Sequence, residues 1–417
     1  MGYKLLGIVK QYKGEANYAI SNVITAGVSM LSGVVAAAFI APEDLGVIQS
    51  LLLIQTYAVF LNFGVFSGLN RNLAFYKASG DLDTMQKEID TSHSVSMIVA
   101  IVGGITGIVI TIYHIVIGSA MVYIWSGVLL IITLILSPLT TYTECTFRSG
   151  QQFGRFGWIK NLQSLVYAFV SLFPMFMGYI GRILANSINL FFGYFLRRKY
   201  MPYKHKDKGD LVSLKDLVSA GFPIMLNGYI LSVFLAADRT YIASNLSSYD
   251  MGLYTIANYC YSMIYIIPSA VATMLYPKAT ARYGETGNKR SLIPLWWKSM
   301  ILYLAILVPI ILIAYFAMPP LVEMFMPEYK EGIMAGKITI LTCITLVSNG
   351  PSVIFGTLKK NFVYILVVML CLALFWIVVT LRPDMFQTIE RVAMLRGIIA
   401  LLLALFTIGY SYWLIRK

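Results

Sequence analysis

Apolar runs of transmembrane length recur along the chain, separated by short polar breaks. About 20 consecutive apolar residues cross the hydrocarbon core as a helix, so the pattern predicts a series of spanning helices. Twelve are expected, near 18–40, 46–69, 93–116, 121–140, 158–179, 181–196, 218–240, 253–275, 296–317, 333–356, 362–381 and 392–415. Tight turns separate some of them. Ala41-Pro42-Glu43-Asp44 and Lys359-Lys360-Asn361 are the clearest, because proline and clustered polar residues stop a helix. Residues 1–16 carry Lys4, Lys10 and Lys13 between apolar positions, as an amphipathic segment lying on the membrane surface would.

The pattern repeats at half the chain length. Asp44-Leu45-Gly46 matches Asp250-Met251-Gly252. Arg71, Ala74, Tyr76, Gly80 and Asp81 match Lys278, Ala281, Tyr283, Gly287 and Asn288 at a constant offset of 207. The longest polar stretch, from Arg197 to about Lys215, falls between the halves. The expected organisation is therefore a cytoplasmic N-terminus (1–16), an N-lobe of spans 1–6 (17–196), a basic cytoplasmic linker (197–217) and a C-lobe of spans 7–12 (218–417). Each half holds an even number of spans, so the two repeats are parallel. Such repeats are related by an axis along the membrane normal and enclose a central site. The expected fold is all-α and polytopic, with 12 transmembrane helices in two parallel six-helix lobes around a central cavity.

Composition supports a membrane chain. Only 12% of the 417 residues are charged, against about 25% in soluble domains. The net charge of +13 is an orientation signal. Of the 32 basic residues, 25 fall on the side of the termini and 7 on the other, which places both termini in the cytoplasm. The basic side also faces anionic headgroups, and nucleic acid is not expected as a partner. No small-residue cleavage site precedes the first apolar run, so the N-terminus does not read as a cleavable signal. The four cysteines and three histidines are scattered, without metal or redox spacing. No phosphate-binding loop is present. Neither a metal nor an organic cofactor is expected, and the chain does not read as an enzyme.

What remains is a set of polar interruptions in apolar spans, where ionisable groups are costly and mark cavities or partners. Asp238-Arg239 ends the seventh span, either as a cavity pair that binds substrate or a coupling ion, or as an interfacial pair. Lys337 and Arg396 either face a cavity or snorkel. Arg182 opens the sixth span. Arg71 and Lys278 occupy equivalent points of the repeat, where they could receive an anionic headgroup or simply anchor the helix ends. Arg148 and Arg155 share that ambiguity, and Glu144 is a candidate protonatable group. Tyr254, Tyr259, Tyr261 and Tyr265 crowd the eighth span, as packing, an interfacial belt or a sugar-stacking face would require. Pro138, Pro174, Pro223, Pro268 and Pro351 are candidate kinks.

The stretch Ala41-Pro42-Glu43-Asp44-Leu45-Gly46 resembles the end of the first helix in polysaccharide-unit flippases of the Wzx type. Gly64-Val65, Asn70-Arg71 and Tyr76-Lys77-Ala78-Ser79-Gly80-Asp81 continue the likeness. So do Gly221-Phe222-Pro223, Asn227, Ala237-Asp238-Arg239 and Asp250-Met251-Gly252-Leu253-Tyr254. The resemblance covers most of 15–90 and 215–290. It implies a flippase of the bacterial inner membrane that moves an undecaprenyl-pyrophosphate-linked oligosaccharide, such as an O-antigen unit of lipopolysaccharide, to the outer leaflet. It implies a cationic cavity, to which Arg71, Asn227, Asp238, Arg239 and Lys278 correspond, and a coupling ion, H+ or Na+. The implied partners are the lipid-linked oligosaccharide, membrane lipids, a polysaccharide polymerase and glycosyltransferases. The alternative is a drug, small-molecule or cation antiporter of the same multidrug/oligosaccharidyl-lipid/polysaccharide exporter superfamily.

Overall fold

The structure, a computed structural model, describes the backbone of residues 2–417 and the side chains of 14, 17–269, 271–272 and 274–417. The amphipathic pattern expected over 1–16 lies, in its side chains, outside the described residues apart from Gly14. Among the described residues the chain is helical, with no strand. In order, the helices are α1 (Gly2–Phe39), α2 (Pro42–Ala58), α3 (Val65–Ser79), α4 (Leu82–Val116), α5 (Met121–Ser149), α6 (Phe153–Val170) and α7 (Pro174–Tyr200). They continue with α8 (Leu211–Asn245), α9 (Ser248–Thr286), α10 (Ile293–Phe325), α11 (Ile333–Thr342), α12 (Asn349–Thr357), α13 (Asn361–Leu381) and α14 (Ile389–Arg416).

Ten helical segments among the described residues are long and apolar enough to cross a membrane. The expected fifth and sixth spans fall on α6 and α7, which are not among the ten. Lys160, Asn161 and Gln163 dilute the first, and Arg182, Asn186 and Asn189 the second. Gln163 and Asn189 bond to each other, Asn186 accepts from the Tyr167 hydroxyl, and Lys160 and Arg182 bond to α1. Several helices outrun their apolar stretch. α4 begins at Leu82 rather than near 93, because Asp81 caps it by accepting from the Thr84 backbone N–H at 3.1 Å. That bond holds the exposed Asp81 carboxyl below its ordinary range.

The chain forms two compact units. Unit 1 comprises Met1–Ile40 and Val47–Tyr229, and unit 2 comprises Ala41–Gly46 and Ile230–Lys417. In unit 1, α4 pairs with α5, α1 with α6, and α7 packs on both α5 and α6. A core of Val65, Leu69, Leu73, Ile89 and Leu217 joins α3, α4 and the first part of α8. Here α3 and α8 touch at backbone distance. A Cβ on Gly68 would lie 2.2 Å from the Leu217 carbonyl oxygen, and one on Gly221 would lie 2.0 Å from that of Gly64. In unit 2, α9 packs on α11 and α12, and α14 on α11. The repeated Asp-x-Gly motif has a local cause in this unit. Asp250 completes a capping box with Ser247 at the start of α9. Gly252 and Gly46 lie where the starts of α9 and α2 cross: a Cβ on Gly46 would fall 1.8 Å from the Ser248 carbonyl oxygen, and one on Gly252 1.8 Å from that of Pro42.

The expected kinks are partly realised by proline and partly by glycine. Pro138, Pro223 and Pro268 sit inside α5, α8 and α9. Pro174 instead starts α7, and the break in that helix falls at Gly178, with φ 54 and ψ −132. A side chain there would be strained.

Candidate functional site

In each unit a group of charged side chains is drawn in among the helices. In unit 1 it lies among α1, α5, α6 and α7. Glu144 on α5 bridges Arg148, at 2.9 Å, and Arg197 on α7, at 3.4 Å. Arg197 also donates to Gln163 Oε1 at 2.8 Å, and Gln163 donates in turn to the Asn189 carbonyl and side-chain oxygens. Lys160 donates to Asn22 Oδ1 at 2.7 Å and stands over the rings of Tyr18 and Phe156. Further along α7, Arg182 donates to the Ser32 carbonyl and hydroxyl and to the Tyr167 hydroxyl. Arg182 is 8% exposed and Arg197 6%. No carboxylate pairs with Arg182 among the described residues. Both arginines keep a buried Nε without a hydrogen-bond partner.

Three cations (Arg148, Lys160 and Arg197) thus gather around one carboxylate, Glu144, while Arg182, about 22 Å along α7 from Arg197, has none. An unpaired guanidinium in a low-dielectric bundle costs several kcal/mol, and its fork of donors matches phosphate oxygens. The arrangement can receive an anion. No cluster of histidine, cysteine and carboxylate residues able to hold a metal occurs among the described residues.

In unit 2 the charge is balanced. Asp238 on α8 is 1% exposed. It pairs with Arg396 on α14 at 3.1 Å and accepts from the Tyr254 hydroxyl at 2.7 Å. Arg396 lies over the Tyr261 ring, 4.4 Å from its centroid, and Tyr261 stacks on Tyr265. These three residues line a small open cavity of about 70 Å³. Across from them, α11 and α12 are joined by a 3₁₀ stretch, Cys343–Ser348. A 3₁₀ turn has three residues per turn, so Thr342, Thr345 and Ser348 share a face, and all three line the same cavity. Each hydroxyl donates to the carbonyl three residues back. The wall is therefore aromatic on one side and hydroxylated on the other.

The residues expected from sequence are distributed as follows. Asp238 lies in the buried pair, but its ionic partner is Arg396. Arg239 approaches Asp238 only through its backbone N–H, at 2.8 Å, and its side chain is half-buried. Asn227 is half-buried on α8. Lys337 is half-buried, with Nζ 5.2 Å from the centroid of the Tyr315 ring. Arg71 in unit 1 and Lys278 in unit 2 are both exposed. Among the tyrosines, Tyr254 is buried against Asp238, whereas Tyr261 and Tyr265 face the cavity.

A sequence model of the family described as polysaccharide biosynthesis protein matches residues 34–331. The chain belongs to that family. The likeness to Wzx-type flippases noted in the motifs therefore holds at family level. No curated protein matches the sequence. The chain is similar in structure to an inward-facing multidrug resistance MATE transporter of the MOP superfamily. The TM-score is 0.74 at 13% identity, over 95% of this chain and 98% of that one. It is also similar to a MOP superfamily transporter from Pyrococcus furiosus Vc1 whose binding pocket is described as having reverse polarity. There the TM-score is 0.67 at 14% identity, over 97% of this chain and 96% of that one. An outward-facing MATE transporter of the superfamily gives 0.63 at 14% identity, with the same coverage. At these identities the likeness is one of fold. It agrees with an all-α, multi-pass membrane protein.

Arg197, Lys160 and Gln163 escaped the sequence reading: Arg197 falls just beyond the expected sixth span, and Lys160 and Gln163 lie in the first turns of the expected fifth. The usable signal was the polarity of the expected fifth and sixth spans, too high for helices facing lipid on all sides.

Proposed function

We propose that the chain is a membrane transporter of the flippase type. It moves an undecaprenyl-pyrophosphate-linked oligosaccharide from the inner to the outer leaflet of the bacterial inner membrane by alternating access, driven by an ion gradient. The observation that carries this reading is the excess of positive charge among α1, α5, α6 and α7: the buried Arg182 has no carboxylate partner, and Arg148, Lys160 and Arg197 gather around Glu144 alone. A pyrophosphate supplies the missing negative charge in a form that arginine binds bidentately. The cavity wall of Tyr261, Tyr265, Thr342, Thr345 and Ser348 suits a saccharide, with rings for sugar faces and hydroxyls for sugar hydroxyls. The distribution of basic residues supports cytoplasmic termini, on the side of the glycosyltransferases that would supply the substrate. A polymerase would consume the product on the far side. A cationic drug is a poorer fit, because Asp238, the carboxylate beside this cavity, is already paired with Arg396.

The test is binding in detergent or nanodiscs, read by intrinsic tryptophan fluorescence. Arg182→Gln keeps a donor for Ser32 but removes the charge. The loss of a charge-assisted hydrogen bond, about 1.5–3 kcal/mol, is expected to weaken binding of a polyprenyl-pyrophosphate oligosaccharide by roughly 10- to 100-fold. Binding of the uncharged polyprenol should not change. Equal binding of the two lipids by the wild-type protein would contradict the reading.

A further inference from the structure

Glu88 is a buried acid that the two charge clusters leave unexplained. It lies on α4, about two turns in from the Asp81 cap, and is 1% exposed. Oε1 accepts from Asn72 Nδ2 on α3 at 2.8 Å. Oε2 is buried with no hydrogen-bond partner among the described residues. The ion pairs formed by described residues involve Glu144 and Asp238, never Glu88.

The groups that face Glu88 do not favour a charge. On α3 they are Asn72 and the Tyr76 phenol. On α8 the ionisable group that acts on Glu88 is a second acid, Asp216. On α5, Tyr142 and Cys145 belong to the same core as Leu73, Met85, Ile89 and Leu217. An ionised Glu88 would thus have one donor, apolar walls and a like-charged neighbour, which costs several kcal/mol. A neutral carboxylic acid fits the same place without that penalty.

Position along the helix decides where a proton would come from. The 35 residues of α4 extend over about 52 Å, well beyond the ~30 Å hydrocarbon core. Glu88 lies within about 10 Å of the capped end, so protein, rather than lipid, separates it from water. We infer that Glu88 is a proton-binding site. It holds its proton while α3, α4 and the first part of α8 are packed together, and releases it to water when that contact opens. Because the neutral form belongs to the packed state, acid favours packing and rising pH favours opening. By reciprocity, opening lowers proton affinity. The inference rests on the transporter reading only in that the protein must change conformation, and it is independent of the cargo.

The experiment combines infrared difference spectroscopy with hydrogen exchange on purified full-length protein, without any lipid-linked substrate. Failure of the cargo reading therefore leaves this result standing, and the reverse also holds. At neutral pH the wild-type protein is expected to show a protonated-carboxyl C=O band that Glu88→Gln lacks. Between pH 6 and 8, exchange over 65–79 and 211–229, corrected for intrinsic rates, should rise about tenfold in the wild type, equivalent to about 1.4 kcal/mol of linkage, and stay flat in Glu88→Gln. If Glu88→Gln does not fold, Asn72→Leu serves instead. Removing the donor to the carbonyl should move the wild-type band to higher frequency. No carboxyl band at neutral pH, a band unmoved by either substitution, or protection that follows Na+ instead of pH would overturn the inference.

Discussion

Asp238 shows how a single residue acquires its meaning from elements distant in sequence. Its neighbour Arg239 cannot face it. Adjacent positions on a helix point about 100° apart, and only residues three or four apart meet. The partner is Arg396, on the last helix, with Tyr254 closing the third side. Breaking a buried pair by removing one member costs about 3–5 kcal/mol. Arg396→Met is therefore expected to lower thermal stability in detergent by that amount, while the double variant Asp238→Asn/Arg396→Met recovers most of it. A double variant no more stable than Arg396→Met would mean that the pair is not what holds Arg396 in place. The cost of each ion was legible in the sequence, because both interrupt apolar runs. Their pairing was not, since it depends on which face of α8 meets which face of α14. The unit 1 cluster was still harder to read. Lys160 and Arg197 looked like ordinary cations at helix ends, and only the packing of α1, α5, α6 and α7 turns them inward.

At the scale of elements, the repeated glycine is the informative feature. Asp44-Leu45-Gly46 and Asp250-Met251-Gly252 are equivalent in the repeat, and their glycines occupy the crossing of the starts of α2 and α9. Each glycine lies against a backbone carbonyl near the start of the other helix, so the smallest added side chain has no room. Gly46→Ala and Gly252→Ala are each expected to cost about 1–3 kcal/mol through overpacking, read as a lowered melting temperature. Gly409→Ala on α14, where nothing lies within 4 Å of an added Cβ, should be neutral or slightly stabilising. Gly46→Ala and Gly252→Ala proteins as stable as the wild type would contradict the crossing. The motif itself was visible in the sequence, but its reason was not, because a backbone contact leaves no trace in hydrophobic pattern. The same limit applies to the 3₁₀ stretch Cys343–Ser348. Its apolar content reads as uninterrupted helix, yet its three-residue period aligns the Thr342, Thr345 and Ser348 hydroxyls on the cavity.

At the scale of the whole molecule, the apolar pattern sufficed for the class of fold. Runs of this length leave few alternatives to spanning helices, and the family match over 34–331 agrees with the motifs. The pattern expected α6 and α7 as the fifth and sixth spans; what it missed is that their polar groups bond to each other and to α1 and α5. That is also where the account places the cargo's charge. Translocation in proteoliposomes tests this most directly. A fluorescent polyprenyl-pyrophosphate oligosaccharide is loaded on one leaflet, and its arrival on the other is followed with a membrane-impermeant quencher under an imposed ion gradient. The wild-type protein is expected to accelerate transfer at least about tenfold over protein-free vesicles. Arg182→Gln/Arg197→Gln, losing at least about 1.4 kcal/mol of charge complementarity, should fall back towards the background rate while keeping its fold. No acceleration by the wild type with either direction of gradient, or a double variant as fast as the wild type, would contradict the account.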